Sequence, residues 1–170
     1  MLKQLILVLF ILFLFSVNEM SYAQGPKRKN FGFGIILGDP TGGTIKYWFN
    51  RENALAASLG GSYFGSPRLG VDYLWHFDAF QSSVAALYAG FGGVLGFGTG
   101  GSGLWYKGEK GKFYYRSGSD AGLGIRGVFG LNIIPERTPL EIFLEVGALV
   151  GLAPDFGSAI DLALGMRFYP

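Results

Sequence analysis

The sequence contains no cysteine and only one histidine, His76. The first absence excludes a disulfide framework, a lipid-anchored cysteine and thiolate metal ligands. The second leaves His76 without a partner for an imidazole metal pair. Charge is also scarce, 15% of residues against roughly 25% in a soluble domain. The net charge is +2 with no block of one sign, which gives no electrostatic footprint for nucleic acid. After the first residues no second long apolar run occurs, so no further segment reads as a spanning helix.

What is present begins with Lys3 and an apolar run from Leu5 to Val17, followed by Ser21-Tyr22-Ala23. The run falls short of the roughly 20 residues a spanning helix needs. With its small-x-small ending it reads as a secretory signal removed after Ala23. Residues 24–30 then form a short tail, and 31–170 a single domain. Glycine is abundant, 29 residues, without a collagen period. A chain with positive mean hydropathy and no spanning helix has one remaining way to satisfy its backbone in lipid, a closed barrel.

The remaining sequence carries segments of about ten residues in period-2 alternation, the pattern of membrane strands. In the last, Ile160, Leu162, Leu164, Met166 and Phe168 form one face against Asp161, Ala163, Gly165 and Arg167. The same template predicts eight strands: Phe31–Leu37, Gly43–Phe49, Ala54–Ser62, Arg68–Phe77, Ala85–Phe97, Leu123–Ile134, Leu140–Leu152 and Ser158–Tyr169. Turn chemistry separates them, as in Asp39-Pro40-Thr41-Gly42 and Pro154-Asp155-Phe156-Gly157. The expectation is an all-β, eight-stranded, antiparallel, up-and-down transmembrane β-barrel behind an N-terminal signal peptide.

An even strand count puts both termini on one side, the periplasm. The one long connection, about 98–122, then emerges on the outer face. Phe31, Phe33, Tyr47, Phe49, Tyr73, Trp75 and Phe168 gather at the periplasmic strand ends as an interfacial girdle, with Phe91 and Phe97 as a thinner upper one. A soluble lipocalin-like periplasmic binder also alternates, but its polar face should be rich in Lys, Glu, Thr and Ser. Here that face is mostly Gly and Ala, with Lys46, Arg68, Arg126 and Arg167 balanced by Asp72, Glu141, Glu145 and Asp161. Such ions belong in paired networks inside a narrow barrel. With the last hairpin turning near Asp155, Arg167 falls diagonally between Glu141 and Glu145, predicting an interior three-residue ion cluster.

The strand–turn–strand stretch from Gly32 to Phe49, through Gly38-Asp39-Pro40-Thr41-Gly42, and the ending Gly165-Met166-Arg167-Phe168-Tyr169-Pro170 resemble small outer-membrane barrels of the OmpA-transmembrane-domain or OmpX type. The resemblance covers the whole of 31–170. It implies a structural or surface-interaction role in the bacterial outer membrane, contact with lipid and lipopolysaccharide, and insertion by the barrel-assembly machinery. Family members usually end on an aromatic residue; here Pro170 follows Tyr169.

No catalytic site, metal or cofactor is expected. His76 reads as a lumen residue at the periplasmic end, whereas an outer-membrane lipid-modifying enzyme, the alternative reading, would need its acid–base group in the outer half. The glycine-rich run from Gly90 to Gly103 lacks the Lys-Ser/Thr ending of a phosphate loop. The candidate contact surface is the long connection, where Trp105, Tyr106, Lys107, Lys110, Lys112, Tyr114, Tyr115 and Arg116 interleave aromatics with cations. The pattern suits lipopolysaccharide, a glycan or a surface protein. It reads equally as membrane-anchoring aromatics, and as a hairpin prolonging the fifth and sixth strands.

Overall fold

The alternation seen in the sequence leaves each strand with one greasy and one small or ionic face, and the chain resolves this by closing a sheet on itself. The structure, a computed structural model, describes residues 29–80, 82–98, 105–108, 121–135, 138–154 and 156–170. Its strands are β1 (Phe31–Gly38), β2 (Thr41–Trp48), β3 (Asn53–Ser62), β4 (Gly65–Phe77), β5 (Ala85–Gly96), β6 (Trp105–Gly108), β7 (Gly122–Ile133), β8 (Leu140–Ala153) and β9 (Gly157–Phe168). Eight of them, all but β6, pair antiparallel with their chain neighbours, and β9 returns to β1 with Phe33 opposite Phe168 and Gly38 opposite Ala163. The result is a closed, antiparallel, up-and-down β-barrel. Both described ends of the chain lie at one mouth, here called the near end.

Every expected strand is found with bounds shifted by no more than three residues. Thr41 and Gly42, read above as turn residues, belong to β2. The turn is tighter because Thr41 closes it from its own side chain: its Oγ1 accepts from Gly38 N–H at 3.0 Å and donates to Gly38 O at 2.8 Å. Gly38 takes φ +116° there, a left-handed conformation that a Cβ disfavours. Phe91, placed above in an upper girdle, instead pairs with Tyr73 halfway along β5.

A larger departure concerns the long connection. Its segment Trp105–Gly108 does not prolong β5 and β7 as a hairpin; as β6 it pairs antiparallel with β9, Trp105 opposite Ile160 and Gly108 opposite Gly157. The edge of β9 was available because β1 ends lower than β9 does.

The two faces sort cleanly. Ile35, Leu37, Ile45, Leu59, Leu144, Val146, Leu162, Leu164 and Met166 are all exposed on the outside. Outward aromatics at the near end touch one another, Phe33 with Phe168 at 6.1 Å and Tyr73 with Trp75 at 4.9 Å between ring centroids. Inward, three apolar clusters fill the barrel. Trp48, Leu74, Tyr88, Val128 and Tyr169 lie toward the near end. Ile36, Phe143 and Ala163 form a second cluster. Tyr63, Phe64, Val94, Leu149 and Ala159 close the far end.

An eight-stranded barrel has just enough width for its inward side chains, so bulky rings need facing glycines. Phe143 occupies the space above Gly165, where a Cβ would overlap its ring, and Tyr88 does the same at Gly130. Gly165→Ala is expected to destabilise the fold by about 1–3 kcal/mol, the usual cost of overpacking, because Phe143 is itself held under Arg167 at 3.8 Å. A lowered urea midpoint of the refolded barrel checks this; an unchanged midpoint refutes it.

Candidate functional site

The barrel interior concentrates the chain's polar chemistry. All eight charged residues on the barrel strands point inward, and all are buried: Lys46, Arg68, Asp72, Arg126, Glu141, Glu145, Asp161 and Arg167. Isolated charges in such a space would be very costly, and pairing with further hydrogen bonds is what makes them tolerable.

They fall into two groups. Toward the near end Glu141 is the hub. Lys46 Nζ donates to its Oε1 at 2.7 Å, Arg167 reaches the same oxygen at 3.2 Å, and the Tyr169 hydroxyl donates to Oε2. Arg167 also donates to Thr44 Oγ1 at 3.0 Å, and Trp48 Nε1 donates to Tyr169 Oη at 3.0 Å. Toward the far end Arg126 binds Glu145 and stands 3.6 Å from Asp72 and 3.8 Å from Asp161. Arg68 donates to Asp161 at 2.6 Å and to Ser62 Oγ at 3.0 Å. The Tyr63 hydroxyl donates to the other Asp161 oxygen, and Tyr88 donates to Glu145 at 2.8 Å.

The predicted triad of Arg167, Glu141 and Glu145 is therefore divided. Arg167 sits directly opposite Glu141, whereas Glu145 faces Ala163 along the strand pair and takes Arg126 and Tyr88 as partners. The hairpin between β8 and β9 pairs Gly151 with Gly157, centring its turn on Pro154 rather than Asp155. That small shift converts a diagonal contact into a direct one and hands Glu145 to the neighbouring strand β7.

His76 is buried at the near end between the rings of Trp48 and Tyr88, at 4.2 and 5.2 Å. Its Nε2 lies 3.0 Å from Lys46 Nζ and its Nδ1 3.0 Å from the Glu52 carbonyl. Lysine has only protons to give. Nε2 therefore accepts and Nδ1–H donates to Glu52, leaving a neutral imidazole with both nitrogens engaged. Among the described residues no group of three His, Cys, Asp or Glu side chains is placed to hold a metal ion.

Of the candidate contact residues, Trp105, Tyr106 and Lys107 lie in β6, where their backbone register is fixed. Lys110, Lys112, Tyr114, Tyr115 and Arg116 lie outside the described residues. Sequence reading missed Thr44, Tyr88 and Tyr169 as partners of the ions. Their inward parity was available as a signal. Tyr63 had none, because a turn residue carries no strand parity.

Glu141 neutralises two cations at once, so its loss should cost more than loss of either. Glu141→Ala is expected to destabilise the barrel by about 3–5 kcal/mol. Arg167→Ala should cost less, because Lys46 and Tyr169 still hold the carboxylate. Urea unfolding of the two variants orders them, and equal or reversed costs would contradict the hub. A scan against family models returned no match, and neither did a search of curated proteins.

Proposed function

We propose that this chain is a bacterial outer-membrane β-barrel with a structural or surface-interaction role, its long connection providing the outer contact surface. One observation carries the reading. The outward positions of the eight barrel strands bear no charged residue, while every charged side chain on those same strands is turned inward and buried. Contiguous exposed apolar patches beyond a few hundred Å² are rare on proteins that live in water, and here the apolar surface runs around the barrel. In hydrocarbon the same surface is solvated, and the pairing of β9 with β1 closes the ladder along the length of β1, where the backbone needs no water.

The near-end aromatics support the same reading, since outward rings at one level suit a membrane interface. Eight antiparallel strands and a leading apolar segment ending in Ser21-Tyr22-Ala23 fit export to the periplasm, with the near end facing that compartment. The long connection then faces outward, bearing aromatics among cations suited to anionic lipopolysaccharide, a glycan or a protein. A pore is not the reading favoured here, because two ionic groups and three apolar clusters occupy the interior.

Val146 lies on the outward face midway along β8, and Leu152 on the same strand near the far end. In vesicles, Val146→Arg is expected to lower folding stability by about 2–4 kcal/mol and Leu152→Arg by about 0–1, the depth dependence of a lipid-facing cation. Denaturant titration of the vesicle-bound protein measures both. Equal small effects, or recovery of the wild-type chain in the aqueous fraction after alkaline carbonate washing, would overturn the membrane reading.

A further inference from the structure

The first column of the barrel wall is built from two distant pieces of chain. β1 stops at Gly38, whose partner on β9 is Ala163, and Asp39 N–H adds a last bond to the Leu162 carbonyl at 3.0 Å. β9 continues past this point to Gly157, so Gly157-Ser158-Ala159-Ile160 projects beyond the end of β1. This edge carries no charge and no proline, two of the devices by which proteins keep an open strand from pairing. Its covering comes from β6, in register from Trp105–Ile160 to Gly108–Gly157. Because β1 and β6 are both antiparallel to β9, they run the same way, and β6 continues the column of β1 after a short break.

The placement is demanding for the chain. In the closed order β1-β2-β3-β4-β5-β7-β8-β9, the β1 column stands diametrically opposite β5. The chain leaves β5 at Gly96, reaches the opposite wall by Trp105 and is back beside β5 when β7 starts at Gly122. The join between β1 and β6 falls at Asp161, the carboxylate shared by Arg68, Tyr63 and Arg126.

We propose that β6 is a strap: a segment of the long connection that fastens reversibly to the β9 edge, completing the wall beside the far-end ion group. Reversibility is inferred from its short, one-sided ladder. Four residue pairs on one edge attach it, and among the described residues its other edge has no strand neighbour. β1, by contrast, is paired on both sides. The strap rests on the barrel fold alone and stands whether or not the chain resides in a membrane.

The absence of cysteine makes the test clean. Lys107→Cys with Ser158→Cys places thiols on Cα partners across the two strands. Oxidising the folded full-length chain is expected to give a disulfide within one molecule. Disulfide-linked dimers, or thiols that stay free, would overturn a strap fastened to its own barrel. Hydrogen exchange on the same variant reads reversibility. The Gly157–Ile160 amides facing β6 should exchange at least about tenfold more slowly oxidised than reduced, because a local opening has been removed. Amides of Leu164–Phe168, which pair with β1 and β8, should not change. Equal rates in the two redox states would mean that β6 does not open and would defeat the proposal.

Discussion

Closure of the sheet through β1 and β9 is the constraint from which the other features follow. Once those strands pair, the eight-stranded sheet has an inside and an outside, and each strand is obliged to place alternate side chains in two separate environments. The interior is narrow and the exterior extensive. Large aliphatic residues cannot all enter a space of that width, so most lie outside, while small and ionic residues and a few bulky ones such as Leu74 and Leu149 lie within. A soluble sandwich with the same alternation would direct its aliphatics into a shared dry core; here they point away from one another.

The interior then has to be filled and neutralised at the same time. Rings enter where glycine stands opposite, as with Phe143 over Gly165 and Tyr88 over Gly130. Charges enter in pairs, each group held by carboxylates that also accept from tyrosine hydroxyls. The two devices are linked: Arg167 lies over the ring of Phe143 while binding Glu141. Apolar packing and ion pairing thus fix the same side chains, and the rotamer freedom of the long cations is restrained by the rings beside them.

The far rim follows a different logic. β1 and β2 are the shortest barrel strands, eight residues each, because Thr41 and the Asp39-Pro40 pair turn the chain early. That shortening leaves part of β9 unaccompanied, and a segment more than sixty positions beyond the end of β1 supplies the missing neighbour. The turn after β3 adds a second adjustment, tucking Tyr63 and Phe64 into the mouth, so the far end is closed by turn residues as well as by strand residues.

The eight barrel strands, their order, the parity of every charged position on them and the near-end aromatics were legible in the sequence, because a period of two is a local property and successive strands joined by short turns pair with one another. The inward set of four cations and four carboxylates could be named on that basis. Which cation meets which carboxylate could not, since a one-residue displacement of the turn at Pro154 decides whether Glu145 belongs to Arg167 or to Arg126. Nor could the fate of Trp105–Gly108, whose pairing with β9 depends on an edge created by the early end of β1. Alternation is written residue by residue, whereas register and edge availability exist only when separate strands are brought to a common height, and the tertiary structure alone fixes that height.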